Sequence, residues 1–384
     1  MKGIPMNRIS VFSIMGCILF FAGCNMLDPQ QVLGPEEITS AQVLYYSKDL
    51  AVINPNGTSG NSYEIREIMP NGSYNPSIGY LPYGSGNFPS PNMKSTTLDG
   101  YYIYTVEQNA GNLYYSKGFL QNQTTGQPPN LIYKFSYQWQ VNSAYYSTGT
   151  NPDIGVCGGT VVEVHSGAAP SYWYYRSGIV QNGAITWYTG DLALPTFFVG
   201  PTDLSPQTPL RIYNNNGACV VACIAGELIS GSSYLVTATG NWRSGAITWS
   251  PWKKQYKVYN SNSYKGNMDL DGTNINGGGG NSNIAVLYGG QSGSSILTAT
   301  LSPATNSLTS IVQTNVNLVK VYSISVQKTS SWPKKILFSG NSTGPFTTVP
   351  PILSDYTISY SWPSSMEQIK DLNQWAKGKT LLAY

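Results

Sequence analysis

Charge is the scarcest property of this chain. Lys, Arg, Asp and Glu make up 10% of the 384 residues, against about 25% in an average globular domain. The 21 Lys and Arg form no visible basic stripe among 18 acids, which argues against nucleic acid as a partner. Histidine occurs once, as His165. One imidazole and few thiols leave no ligand set for a structural zinc. Beyond Cys24 only Cys157, Cys219 and Cys223 remain. Cys219 and Cys223 share one strand-like apolar run, and four strand residues span about 13 Å, too far for a direct disulfide. At most one of them pairs with Cys157, and small buried thiols are the expected state. No Gly-x-Ser-x-Gly elbow sits between a strand and a helix, so a Ser-His-Asp hydrolase lacks its nucleophile. Past the N-terminus, no apolar run approaches the about 18 residues that a membrane-crossing helix needs.

What is present begins with a leader. Residues 1–8 hold Lys2 and Arg8 and no acid, 9–21 are an uncharged, mostly apolar run, and Ala22-Gly23-Cys24 follows. A positive start, an apolar stretch too short to span a bilayer and small residues before the cut describe a signal peptide over 1–23. The Ala-Gly-Cys ending resembles the lipobox of bacterial lipoproteins, a resemblance that covers only the leader. It implies that Cys24 is lipidated, with palmitate-class chains, and becomes the mature N-terminus. Phe21 stands where that family usually has Leu, and Cys17, after Ile14-Met15-Gly16, is a rival that leaves a shorter apolar run. Asn25, rather than Asp, resembles lipoproteins sent on to the outer membrane. Residues 24–37 hold two Pro and no periodicity, and read as a tether. Lys2 and Arg8 leave with the leader, so 19 bases face 18 acids in the mature chain.

From 38 onward the text is β-branched and aromatic clusters separated by Asn-Gly, Asp-Gly and Ser-Gly. It also repeats. Gly183-Ala184-Ile185-Thr186-Trp187 returns unchanged 62 positions later as Gly245-Ala246-Ile247-Thr248-Trp249. The stretch 151–165 matches 208–223, and 111–118, 171–178 and 232–240 match one another. Comparable starts near Ser95, Asp153, Leu210, Asn267 and Ser323 are spaced 56 to 58 residues apart. A fixed period of this length signals a bladed or solenoid array. Six units of about 57 residues, each with room for four short strands, predict a single six-bladed β-propeller over 38–384. A seven-bladed ring and two β-sandwich domains are the alternatives. Val161-Val162 and Ala285-Val286-Leu287 suit inner strands, and GAITW an edge or third strand whose Trp packs on the next blade. Near the C-terminus, Ser364-Ser365-Met366-Glu367 forms a capping box. Met366, Ile369, Leu372 and Trp375 then share one face, and Gly378 suits a stop, which predicts an amphipathic helix over 365–377.

The repeat resembles, in architecture, the bladed folds of sialidases and other exported bacterial propellers. Sialidases carry Ser-x-Asp-x-Gly-x-x-x-Trp boxes and clamp a carboxylate with three Arg. Here SGAITW keeps the Gly and Trp without the Asp, and the mature chain has only Arg66, Arg176, Arg211 and Arg243. The resemblance therefore implies the fold and not the activity. A glycosidase needs two facing carboxylates, for which Glu107, Asp153, Glu163, Asp191 and Glu227 are candidates. Glu163 and His165 share one strand face and form the candidate catalytic pair. Asn267, Asp269 and Asp271, with Gly272, match the opening of a calcium loop, but Ile275 and Gly278 occupy its ninth and twelfth places, so a polar turn is the better reading. Trp242, Trp252, Trp332 and Trp362 sit beside turn residues, where flat apolar faces among Asn and Ser suit a neutral glycan. The expectation is a surface or outer-membrane lipoprotein that binds a neutral glycan or an envelope protein without catalysis. An exported carbohydrate-active enzyme or an envelope-assembly scaffold is the alternative.

Overall fold

Among the described residues, runs of branched and aromatic residues broken by Gly-bearing turns fold into strands alone. The structure, a computed structural model, describes 50–53, 62–67, most of 84–342, 365–369 and 381–383. The leader, Cys24, the tether, Trp332 and Trp362 lie outside the described residues. In chain order the strands begin with β1 (Leu50–Ile53), β2 (Ser62–Glu67) and β3 (Gly84–Asn87). Then come β4 (Met93–Asp99), β5 (Tyr102–Asn109), β6 (Asn112–Asn122) and β7 (Phe135–Tyr146). The next unit is β8 (Thr150–Cys157), β9 (Thr160–Ser166), β10 (Trp173–Gln181) and β11 (Ala184–Trp187), with a short β12 (Leu192–Ala193) beside β10. After β13 (Leu204–Pro206) follow β14 (Arg211–Asn215), β15 (Ala218–Glu227), β16 (Ser232–Arg243), β17 (Ala246–Trp249) and β18 (Lys253–Tyr259). The last full unit is β19 (Asn267–Asn274), β20 (Ser282–Gly290), β21 (Gly293–Ser302) and β22 (Ser307–Asn315). The chain closes with β23 (Leu318–Val326), β24 (Lys335–Ser342), β25 (Ser365–Ile369) and β26 (Leu381–Ala383).

Four four-stranded antiparallel meanders, β4–β7, β8–β11, β14–β17 and β19–β22, are the blades of a β-propeller arrangement. The described residues give four such blades and not the six expected. The outer repeats break the pattern. β23 and β24 take β25 as a parallel neighbour, and β26 pairs with β1 from the opposite end of the chain. Innermost strands nevertheless touch in sequence, β4 to β8 to β14 to β19 to β23, and β26 touches both β23 and β4. Two independent sandwiches would not do this.

The helix expected over 365–377 is corrected: 365–369 form β25, and 370–377 lie outside the described residues. Capping box and apolar spacing favour a helix by tenths of a kcal/mol per residue. Pairing Lys335 to Ser339 with Ser365 to Ile369 instead completes the hydrogen bonds of an otherwise open β24 edge, so the ladder wins over the local preference.

Every residue of β9 and of β15 is buried, because a second strand is covered on both faces by neighbouring blades. Outer strands such as β22 are part-exposed along their length. The repeated GAITW now has a reason. Gly178 lies opposite Trp187, Gly240 opposite Trp249, and Gly118 opposite Trp139. A Cβ at Gly240 would stand 2.8 Å from the Trp249 ring, and one at Gly118 3.0 Å from the Trp139 ring. The indoles of Trp249 and Trp139 thus lie over a third-strand glycine, and Trp187 and Trp249 reach a tyrosine of the preceding blade, not the following one. Trp187 meets Tyr115 at 4.7 Å, and Trp249 meets Tyr175 at 5.3 Å.

The 58-residue step is visible in the centre as polar contacts between inner strands. Asp153 of β8 accepts from Ser95 Oγ of β4 and from the Ile212 amide of β14 (2.7 Å). Asp269 of β19 accepts from Ser323 Oγ (3.1 Å) and the Ile324 amide (2.8 Å) of β23, and faces Arg211 Nε at 3.5 Å. Asp271 repeats the pattern on the Val326 amide at 2.8 Å. Buried carboxylates are thus spent on neighbouring inner-strand amides, which stitches blade to blade.

Candidate functional site

Glu163 and His165 lie two residues apart on β9, so both side chains leave the same face, the one turned to β6 of the preceding blade. Both are fully buried. His165 Nδ1 hydrogen-bonds the Glu163 carboxylate at 3.0 and 3.1 Å. Opposite Glu163 in register stands Arg176 of β10, whose Nε donates to Asp191 at 3.0 Å. Asp191 also faces His165 Nε2 at 3.6 Å, and it alone of the four reaches solvent. Tyr115 of β6 closes the group from the preceding blade; its hydroxyl interacts with Glu163 and Arg176. Tyr174 stacks on the imidazole at 5.8 Å, and a Cβ at Gly149 would stand 2.7 Å from that ring, so both imidazole faces are covered.

Two acids and two bases balance inside this seam. Burial alone would drive His165 to its neutral form, but the Glu163 charge, with the neighbouring Asp191 and the Glu163 hydrogen bond, raises it to about 10. Burial pushes the Glu163 carboxyl up, against the pull of His165. Burial lowers Arg176 to about 10, with Tyr115 and Asp191 opposing. A general acid or base must hold its proton within reach of a substrate. Here His165 Nδ1 is taken up by Glu163 deep in the seam, while Nε2 makes no hydrogen bond among the described residues and lies 3.6 Å from Asp191.

Of the five candidate carboxylates, Glu163 and Asp191 meet at His165, and the other three lie apart. Asp153 binds inner-strand donors, Asp191 binds Arg176, and Glu227 takes Lys254 Nζ at 2.5 Å. Glu107 lies on β5 of a different blade. Asn267, Asp269 and Asp271, expected in a polar turn, lie instead on strand β19. Their side chains share one face and all engage β23: Asn267 Nδ2 donates to Val321 O at 3.2 Å beside the two carboxylates described above. Alternation in a strand and the odd-numbered ligands of a calcium loop give the same sequence spacing, which is why the two readings coincide.

Trp252 is not a free binding platform. Its indole N–H donates to Pro195 O at 2.7 Å and its ring stacks on Phe197 at 4.2 Å, joining two blades. Trp242 packs in part against the core between the same blades and lies 6.0 Å from the Tyr188 ring. Tyr188 is 48% exposed and Leu192 38% exposed, both on the outer edge of β10. Sequence reasoning had passed over Tyr188 because it follows GAITW and reads as strand. Cys219 and Cys223 are buried free thiols on β15, the former raised to about 12 by burial. Cys157 departs from that expectation and is disulfide-bonded.

No family model and no curated protein matches the chain. Solved structures that align with it include the Penicillium chrysogenum α-L-arabinanase complexed with arabinobiose, at 10% identity and TM-score 0.41, over 76% of this chain and 84% of that one. A PL25 ulvan lyase aligns at 12% identity and TM-score 0.36, over 73% and 77%. Citrobacter koseri AztD aligns at 8% and 0.30, over 88% and 98%. Identities and scores of this size carry no activity across.

Proposed function

We propose that the protein is a non-catalytic binding module of the bacterial envelope, lipid-anchored at Cys24, that holds a neutral glycan against the outer rim where two blades meet. The observation that carries this reading is the aromatic edge of Tyr188 and Trp242, with Leu192 beside them, in a chain whose candidate carboxylates are largely engaged inside the fold. Flat rings grip the apolar faces of sugars, while Asn, Ser and Thr supply uncharged hydrogen bonds. In the same reading β26–β1–β2–β3, joined to β7 only by the single Gly84–Phe135 pairing, and β23–β24–β25 are two smaller blades, which completes a six-bladed ring closed by the chain's two ends.

A glycan array with residues 25–384, which retain every described strand, tests the binding. Neutral oligosaccharides should bind with little dependence on salt, since few charges are there to screen. Tyr188→Ala should weaken that binding about three- to ten-fold, the worth of one aromatic contact. Hydrolysis of a bound oligosaccharide, or binding only to acidic glycans, would overturn the reading. The anchor is tested separately: Cys24→Ser should move the protein from the detergent to the aqueous phase or leave it unprocessed.

A further inference from the structure

One end of the ring carries a surface that neither the ion network nor the aromatic rim uses. In an antiparallel four-stranded blade, the hairpin joining the second and third strands leaves at the same end as the connection to the next blade. For β14–β17 with β18, these are the hairpin at 228–231 and the connector at 260–266. Ser233 Oγ donates to Ser261 O at 2.6 Å and Gln207 Nε2 donates to Asn262 O, which ties the connector to the hairpin base. The hairpin tip presents Leu228 and Ile229, 60% and 70% exposed. The equivalent hairpin of the preceding blade presents Tyr172, 57% exposed.

At this end lie Lys254, Lys257 and Lys265, all exposed, against one acid, Glu227, buried at the hairpin base. Arg243 and Lys253 belong to the other half of the blade: Arg243 ends β16 away from the hairpin, and Lys253 Nζ reaches Ser307 beside the β21–β22 turn at 2.5 Å. Lys254 reaches back to Glu227 at the hairpin base at 2.5 Å, across the Tyr234 ring. Lys257 pairs with Tyr234, closer to the hairpin along β18 than Lys254, and Lys265 ends the connector. The lysines were inconspicuous in the sequence because a strand edge and a connector, not one helix face, bring them together.

Exposed aliphatic side chains at a turn tip, bordered by tyrosines and by Lys257 and Lys265, with the one nearby acid, Glu227, taken up by Lys254, match the layers of an anionic bilayer surface. Aliphatic groups enter the acyl boundary, tyrosines sit at headgroup level, and lysines meet phosphates. We propose that this end of the ring docks on anionic phospholipid headgroups, with Leu228 and Ile229 inserted and Lys257 and Lys265 on the phosphates. Such contact is weak and reversible alone, and orients a ring already held near a membrane. It does not depend on the glycan reading.

The test is co-sedimentation of residues 25–384, which lack both leader and lipid, with vesicles of phosphatidylcholine alone or with phosphatidylglycerol added. Binding should require phosphatidylglycerol and fall at high salt. Lys257→Glu with Lys265→Glu should weaken it by at least about 25-fold, since each lysine near such a surface contributes about five-fold. Leu228→Ser with Ile229→Ser should weaken it by about ten-fold or more. All four side chains are exposed, so thermal melting should match the parent, and if one pair fails to fold the other pair decides. Equal binding to uncharged vesicles, no binding to either, or binding that neither pair alters would overturn the proposal. Capture of an acidic protein without vesicle binding would reassign the surface to a protein partner.

Discussion

Two neighbouring blades solve the same packing problem with opposite chemistry. Their hairpins align Thr160 with Ala218, so Glu163 and His165 of β9 stand where β15 has Val221 and Cys223. Arg176, opposite Glu163, stands where Ala238 lies opposite Val221. One seam is therefore an ion network, while the next is an apolar contact of Val221, Cys223 and Ala238 with Val162, Val164 and Tyr175. The fold does not need the charges. Small apolar residues fill those positions in the very next repeat, so the network is a local replacement whose members depend on one another.

That comparison breaks most sharply at one residue. Glu163→Val alone leaves His165 and Arg176 buried with less compensating charge and should cost about 3–5 kcal/mol in urea unfolding. Cys223→Ala in the apolar seam should cost only about 1 kcal/mol, the loss of a small buried group. Glu163→Val, His165→Cys and Arg176→Ala together copy the neighbouring blade and should restore much of the lost stability.

The seams also differ with pH. His165 is raised from 6.5 to about 10 in the folded chain, so its contribution is fully present below 6.5 and is lost as pH rises through about 10. Urea midpoints of the parent should fall across that range, and the triple variant should fall less.

Trp252→Ala should destabilise by about 2 kcal/mol, because it removes the hydrogen bond to Pro195 and the stacking on Phe197. Thermal melting reads it. A variant that melts like the parent would return Trp252 to the binding surface. The smallest effect contrasts two hairpins. Gly158 and Gly159 take positive φ without strain at the β8–β9 turn, whereas Ala110 holds φ 49° at the β5–β6 turn. Ala110→Gly should therefore stabilise by about 0.5–1 kcal/mol in the same melts.

The sequence made the repeat legible because its period is written in residues with little freedom: the glycine paired with each of Trp139, Trp187 and Trp249, and the inner-strand step from Ser95 to Asp153 to Arg211 to Asp269. The pairing of the outer repeats was not legible, because they borrow partners, β26 for β1 and β25 for β24, from distant parts of the chain. The Glu163–His165 contact was legible from two-residue spacing on one strand. Arg176, Asp191 and Tyr115 were not, since strand register and the seam between blades bring them together. Trp252 read as a free aromatic because its neighbours in sequence are turn residues, while its partners Pro195 and Phe197 come from another blade.

The central claim is that the buried charges belong to the architecture and that function lies in binding at the rim. One measurement tests it most directly: titration of the array's best neutral glycan into the parent and the folded triple variant Glu163→Val, His165→Cys, Arg176→Ala, with product analysis of each mixture. The account predicts the same affinity for both within about three-fold and no cleavage by either. Cleavage by the parent that disappears in the folded triple variant would contradict it and make the seam a catalytic centre.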